Sequence, residues 1–138
     1  MQCTDSTAES AAAMSEAGIR SLVDRAFAAW AIGDIDATLD CFAADAVYTL
    51  HLDPDVLAFS GVSRGRSALR SVLVHQSTEF EYILFRPLPL AVHGQSAHQQ
   101  VEFMFRHKST GETLSGRLRL VWTFADARAR TLSEFHDT

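Results

Sequence analysis

The chain has 138 residues, 47% of them hydrophobic, nine Phe and two Trp among them, and a formal net charge of −5. Such a composition belongs to a globular domain with a sizeable core, and an acidic chain without a basic run excludes nucleic acid as an expected partner. Two cysteines, Cys3 and Cys41, form neither a disulfide framework nor a CxxC pair, and Cys41 beside Phe42 reads as a small core residue.

In chain order, the opening residues lack the positive start and long apolar stretch of a secretory signal, and no window reaches the length of a membrane span. The expectation is a flexible segment over 1–14, a single domain over 15–138, and a cytoplasmic protein with no membrane partner. Ile19, Leu22, Val23, Ala26, Phe27 and Trp30 then recur at helical spacing. Gly33 is placed to stop that helix, and Asp34 to cap a second one whose buried face is Ile35, Leu39 and Phe42. The stretch AVYTLHL (46–52) fits a strand, DPDVLAFSGVSRG a loop, and Leu69, Val72 and Leu73 mark a third helix over about 66–76 that begins at Gly65.

From residue 79 onward the pattern is β. EFEYILFRPL is a strand, and HQQVEFMFRH alternates Val101, Phe103 and Phe105 against Glu102, Met104 and Arg106. LSGRLRLVWTF sets Leu118, Leu120 and Trp122 against Arg117 and Arg119, and RARTLSEFHD returns as the last strand. Helices first and antiparallel strands after predict an α+β fold with helices packed on one face of a curved sheet, closed at one end and open to an apolar pocket at the other.

The ordered set of FAAWAIGDIDATLDCFAADAVY, SGVSRGRSALRSVL, STGETLSGRLRLVWTF and LSEFHD resembles the NTF2-like superfamily, in particular its SnoaL-like branch. The resemblance implies a cone-shaped, curved, mostly antiparallel (mixed) β-sheet with three helices on its concave side, and a homodimer formed through the outer sheet face. It also implies a small hydrophobic molecule as partner, bound by a binding protein or by an isomerase, cyclase or hydratase that needs no metal or organic cofactor.

The ketosteroid-isomerase machinery of that superfamily uses a carboxylate base, a Tyr and a protonated Asp. Through the shared GDID corner and VWTF strand, the Tyr position falls on Ala26 and the Asp on Leu120. The base falls on Leu50, or on Asp53 after a short insertion. The acidic base of the related polyketide cyclases falls on Leu120 again. Neither set is complete, and no Asp-Arg-Asp set of the epoxide-hydrolase kind assembles.

A different constellation remains around the first strand. Tyr48 shares a strand face with Leu50 and is expected to point into the cone as a hydrogen-bond donor. His51 and Asp53 alternate onto the other face where the strand is ending, and a His beside a carboxylate is a proton-transfer pair. Tyr48, His51 and Asp53 are therefore the catalytic candidates, set against a solvated His and a loop-capping Asp. Phe27, Trp30, Leu50, Phe103, Phe105, Leu120 and Trp122 are the candidate pocket wall, and equally plain core.

Glu134 and His136 alternate with Phe135 and Asp137, so one pair faces inward. If that pair is Glu134 and His136 they join the site, whereas an exposed or dimer-facing strand is the ordinary reading. The six histidines show no HxH or HExxH spacing, and no metal is expected.

Overall fold

A computed structural model describes residues 13–51 and 60–137. The first helix, α1 (Glu16–Ala31), starts where Ser15 accepts a hydrogen bond from the Gly18 amide at 3.0 Å, and it buries Ile19, Leu22, Val23, Ala26, Phe27 and Trp30. It ends at Gly33, whose φ of 74° lets the Asp34 amide turn back to the Ala29 carbonyl at 2.9 Å. Asp34 at once caps α2 (Ile35–Leu39) through the Ala37 amide. The tight corner between two helices is therefore present as the residues around Gly33 imply.

Phe42 departs from the expectation. It opens strand β1 (Phe42–His51) instead of closing the helix face, because the preceding Cys41 carbonyl already accepts the Ala129 amide of the last strand at 2.8 Å. Part of the expected loop is also a strand: β2 (Gly61–Arg64) pairs antiparallel with β1, Leu50 opposite Gly61 and Val47 opposite Arg64. The third helix, α3 (Gly65–Glu79), is longer than expected and buries Leu69, Val72, Leu73 and Gln76. Gly65 starts it with a φ of 82°, and the Arg66 guanidinium ties it to the Phe42 carbonyl at 2.7 Å.

Four strands follow β2 and α3, namely β3 (Phe80–Pro87), a short β4 (Ala91–His93), β5 (Ser96–His107) and β6 (Thr113–Ala125), before β7 (Arg128–Asp137) closes the chain. The order across the sheet is β2-β1-β7-β6-β5-β3, with β4 paired to β5. Among the described residues only β1 and β7 run parallel; the other pairs are antiparallel. Among the described residues the result is a curved, unclosed, mixed sheet of seven strands with three helices, the α+β layout that the sequence pattern implied and the cone that the resemblance implied.

Leu118, Leu120, Trp122 and Phe124 of β6 point into one core with Val101 and Phe103 of β5 and the buried faces of α1 and α3, while Arg117 and Arg119 face outward. Burial of side chains this large contributes roughly 1.5–3 kcal/mol each, which is why the alternation fixes the strand register. Among the described residues no helix is long and apolar enough to cross a membrane. The segment 1–14 lies almost wholly outside the described residues, as do Cys3 and Asp53.

Candidate active site

The parallel pairing of β1 with β7 sets Tyr48 beside Leu132 and Leu50 beside Glu134, so Tyr48, Glu134 and His136 all lie on the inner face. The Tyr48 hydroxyl donates to Glu134 Oε1 at 2.6 Å. The other carboxylate oxygen, Oε2, lies 2.7 Å from His136 Nε2, and both side chains of that pair are 6% exposed. Short bonds of this kind are what a buried carboxylate requires, since without them its desolvation would be costly.

A second layer rests on α3. Gln76 occupies the i+7 position after Leu69 on the apolar face of the helix, and its Nε2 donates to the Tyr48 hydroxyl at 3.3 Å. Its Oε1 accepts from the Trp30 indole at 3.2 Å, and the same indole N–H donates to the Tyr82 hydroxyl at 3.0 Å. The Tyr82 hydroxyl in turn lies 3.5 Å from Gln76 Oε1, at the outer limit of a hydrogen bond. Burial, and secondarily the negative charge of Glu134, pushes both tyrosines above their ordinary value. Both therefore stay protonated and act as donors.

Two cavities meet at this cluster. The inner one, about 30 Å³, is walled by Glu134, His136, Gln76 and Tyr82 on its polar side and by Leu50, Phe85, Phe105 and Leu118 on its apolar side. The outer one is a groove of about 270 Å³ between the α1–α2 corner, the end of α3 and the start of β3. Trp30, Phe80 and Tyr82 line both, so these three side chains form the partition between them.

Of the residues singled out from the sequence, Trp30, Leu50, Phe105, Glu134 and His136 line the inner cavity. Tyr48 lies behind it, with its hydroxyl hydrogen given to Glu134 instead of being left for a ligand. Phe27, Phe103, Leu120 and Trp122 lie in the core and, among the described residues, do not line that cavity. His51 is on the outer face, exposed and stacked on Phe135 with ring centroids 4.2 Å apart. The structure thus separates His51 from Tyr48 by strand alternation and joins Tyr48 to His136 instead. The last strand is not exposed on the side of Glu134 and His136, and Phe135 is the residue that faces out.

Gln76, Tyr82 and Phe85 were not among the candidates. Gln76 carried a usable signal, because it continues the apolar periodicity of α3 as a polar residue. Tyr82 and Phe85 both turn inward, with rings stacked 5.2 Å apart, only because the β3–β5 pairing shifts register between Tyr82 and Leu84.

A curved α+β cone with a polar cluster at the inner end of its pocket defines the NTF2-like class of fold. The chain belongs to the SnoaL-like domain family, whose model matches residues 23–131. Solved structures of similar fold include an NTF2-like protein from Burkholderia xenovorans, 24% identical, with a TM-score of 0.79 over 91% of this chain and 93% of that one. TerC, crystallised with polyporic acid, is 15% identical with a TM-score of 0.75 over 87% and 92% of the two chains. A protein of ketosteroid isomerase-like fold from Catenulispora acidiphila, in complex with trimethylamine, is 15% identical with a TM-score of 0.71 over 83% of each chain. No curated protein matches the sequence.

Proposed function

We propose that the protein is an acid–base enzyme that moves a proton on a small, largely apolar carbonyl compound, with His136 as the group that takes and returns it. The observation behind this reading is the 2.7 Å bond between Glu134 Oε2 and His136 Nε2 at the wall of an apolar cavity. A carboxylate accepts a hydrogen bond from Nε2 only when that nitrogen carries the proton, so the neutral ring keeps its lone pair on Nδ1. The hydrogen bond that His136 makes to Glu134 uses Nε2, which makes Nδ1 the acceptor for a substrate C–H in this reading. Glu134 holds the tautomer and offsets the charge of the imidazolium, and Tyr48 holds Glu134. Proton transfer of this kind calls for no metal or organic cofactor.

The experiment is hydrogen–deuterium exchange at the carbons flanking the carbonyl of indan-2-one in D₂O, followed by NMR. Wild-type protein should exchange these positions faster than buffer, and His136→Asn should lose the acceleration. Acceleration that survives His136→Asn contradicts the assignment. A non-catalytic binding or accessory role is the second reading, favoured by one observation: both oxygens of Glu134 are already occupied by internal donors. Saturable binding of the ketone with no exchange would select it.

The assembly we propose is a homodimer through the outer sheet face. Support comes from Phe135, which is sandwiched on that face between His51 and the Arg119 guanidinium, 4.7 Å from its ring centroid, and from the neighbouring exposed Val121.

A further inference from the structure

A second concave region lies at the opposite end of the strands that carry Tyr48 and Glu134. Between paired positions β1 passes from Phe42 to Val47 while β7 passes only from Ala129 to Thr131, so Ala43, Ala44 and Asp45 bow out of the ladder. This bow, the start of α3 and the β6–β7 turn enclose a groove of about 370 Å³. Among the described residues its charged lining consists of Arg66, Arg128 and Arg130 with Asp45 and Asp126. β1 begins at this groove and ends beside the inner cavity, so the two regions share strands but no lining residue.

These arginines are placed against local electrostatic preference. Arg66 stands in the first turn of α3, where the positive end of the helix dipole favours an acid, and that turn holds no acidic residue. Its Nε and Nη2 donate to the Phe42 carbonyl at 3.3 and 2.7 Å, which fixes the guanidinium without bringing a negative charge to it. Arg20, Arg70, Arg86 and Arg106, by contrast, each sit against a carboxylate. Arg130 meets Asp45 at 3.4 Å, a long contact with a side chain 74% exposed, and such a pair is readily exchanged for a better one. The turn that carries Arg128 is strained as well. Asp126 and Ala127 have φ of 55° and 64°, left-handed values that glycine usually supplies, and Ala127 lacks even the side-chain oxygen that eases them. Strain and gathered like charge together are what a binding site retains at the expense of local preference.

We propose that this groove is a binding site for a small phosphate monoester, held by the guanidinium groups of Arg66, Arg128 and Arg130. A phosphate ester brings a charge of about −1.5 to −2 and three acceptor oxygens at neutral pH, which suits guanidinium groups arriving from both α3 and β7. A single carboxylate would be served by one guanidinium fork alone. The net charge of −5 repels a nucleic acid or an anionic membrane, so the ligand is a small molecule that enters one local patch. On binding, Arg130 exchanges Asp45 for a phosphate oxygen, and the anion offsets the cation that stands at the start of α3.

The test is a titration of methyl phosphate into ¹⁵N-labelled protein, followed by amide shifts in NMR, with ionic strength held constant by sodium chloride. Saturable shifts should appear at Arg66, Asp126 and Arg128 and be absent at Glu134 and His136. Arg128→Gln and Arg130→Gln replace exposed side chains, and each should weaken binding by about tenfold. Arg66→Lys keeps the charge, loses the planar fork and should weaken binding too. Shifts no larger than sodium chloride alone produces, or an affinity unchanged in both glutamine variants, would overturn the assignment. Wild-type protein should stay in solution when vesicles containing phosphatidic acid are sedimented; co-sedimentation that Arg130→Gln abolishes would overturn the assignment to a small soluble ester.

Discussion

Tyr48 and Glu134 stand on the two neighbouring strands that run parallel, 86 residues apart in sequence, and a hydroxyl–carboxylate bond of 2.6 Å links them on the inner face of the sheet. The two groups need each other. Glu134 is a buried carboxylate, and Tyr48 supplies one of the two hydrogen bonds that replace its water.

Tyr48→Phe should therefore destabilise the fold by about 1–3 kcal/mol, the range for leaving one partner of a buried hydrogen bond unsatisfied. Urea unfolding of the variant against wild type measures it. A loss below about 0.5 kcal/mol would mean that Glu134 finds another donor or water, and that Tyr48 does not hold the dyad.

The same burial predicts how stability responds to alkali. Tyr48 and Tyr82 hold their protons more tightly when folded than the ordinary tyrosine value of 10.0, first through burial and then through the charge of Glu134. Cys41 is likewise raised from 9.0, chiefly by burial. For groups raised in the folded state the unfolded chain loses its proton first, so their contribution is complete below the unfolded value and declines above it. Stability should be level through neutral pH, begin to fall near pH 9 and fall more steeply above 10. In Tyr48→Phe the steep part should be shallower, and an identical slope in the variant would contradict the origin assigned to it.

The two histidines on opposite faces should behave oppositely. His51→Ala removes an exposed ring stacked on Phe135 and should change stability by no more than about 0.5 kcal/mol while leaving ketone exchange intact. Exchange abolished by His51→Ala would relocate the chemistry to the outer face.

Arg119→Glu tests the proposed assembly. It reverses a charge poised over Phe135 at the centre of the outer sheet. Sedimentation of the wild type as a dimer and of the variant with a raised dissociation constant is expected; an unchanged profile would remove the outer face from the interface.

How much of this was legible in the sequence divides along a physical line. The helix corner at Gly33 and the phase of β6 were readable, because apolar periodicity and a glycine at positive φ each express a local cost. The phase of β7 was harder, since polar Glu134 and His136 occupy the inner face and aromatic Phe135 the outer, the inverse of the usual rule. Leu132, two positions before Glu134 and wholly buried, was the one local clue to the correct phase. Tyr82 was not legible, because its direction follows from a register shift in pairing with a strand more than twenty residues away. Sites made of polar residues on inward faces are where local pattern and tertiary structure are expected to disagree.

The most direct measurement is the tautomer of His136, read from long-range ¹H–¹⁵N correlations of the imidazole in a sample labelled at histidine, at a pH where the ring is neutral. The account predicts a proton on Nε2, bonded to Glu134, and a bare Nδ1 whose ¹⁵N shift moves when indan-2-one is added. A proton on Nδ1, with Nε2 accepting from a protonated Glu134, would leave no base facing the cavity and contradict the proposed chemistry.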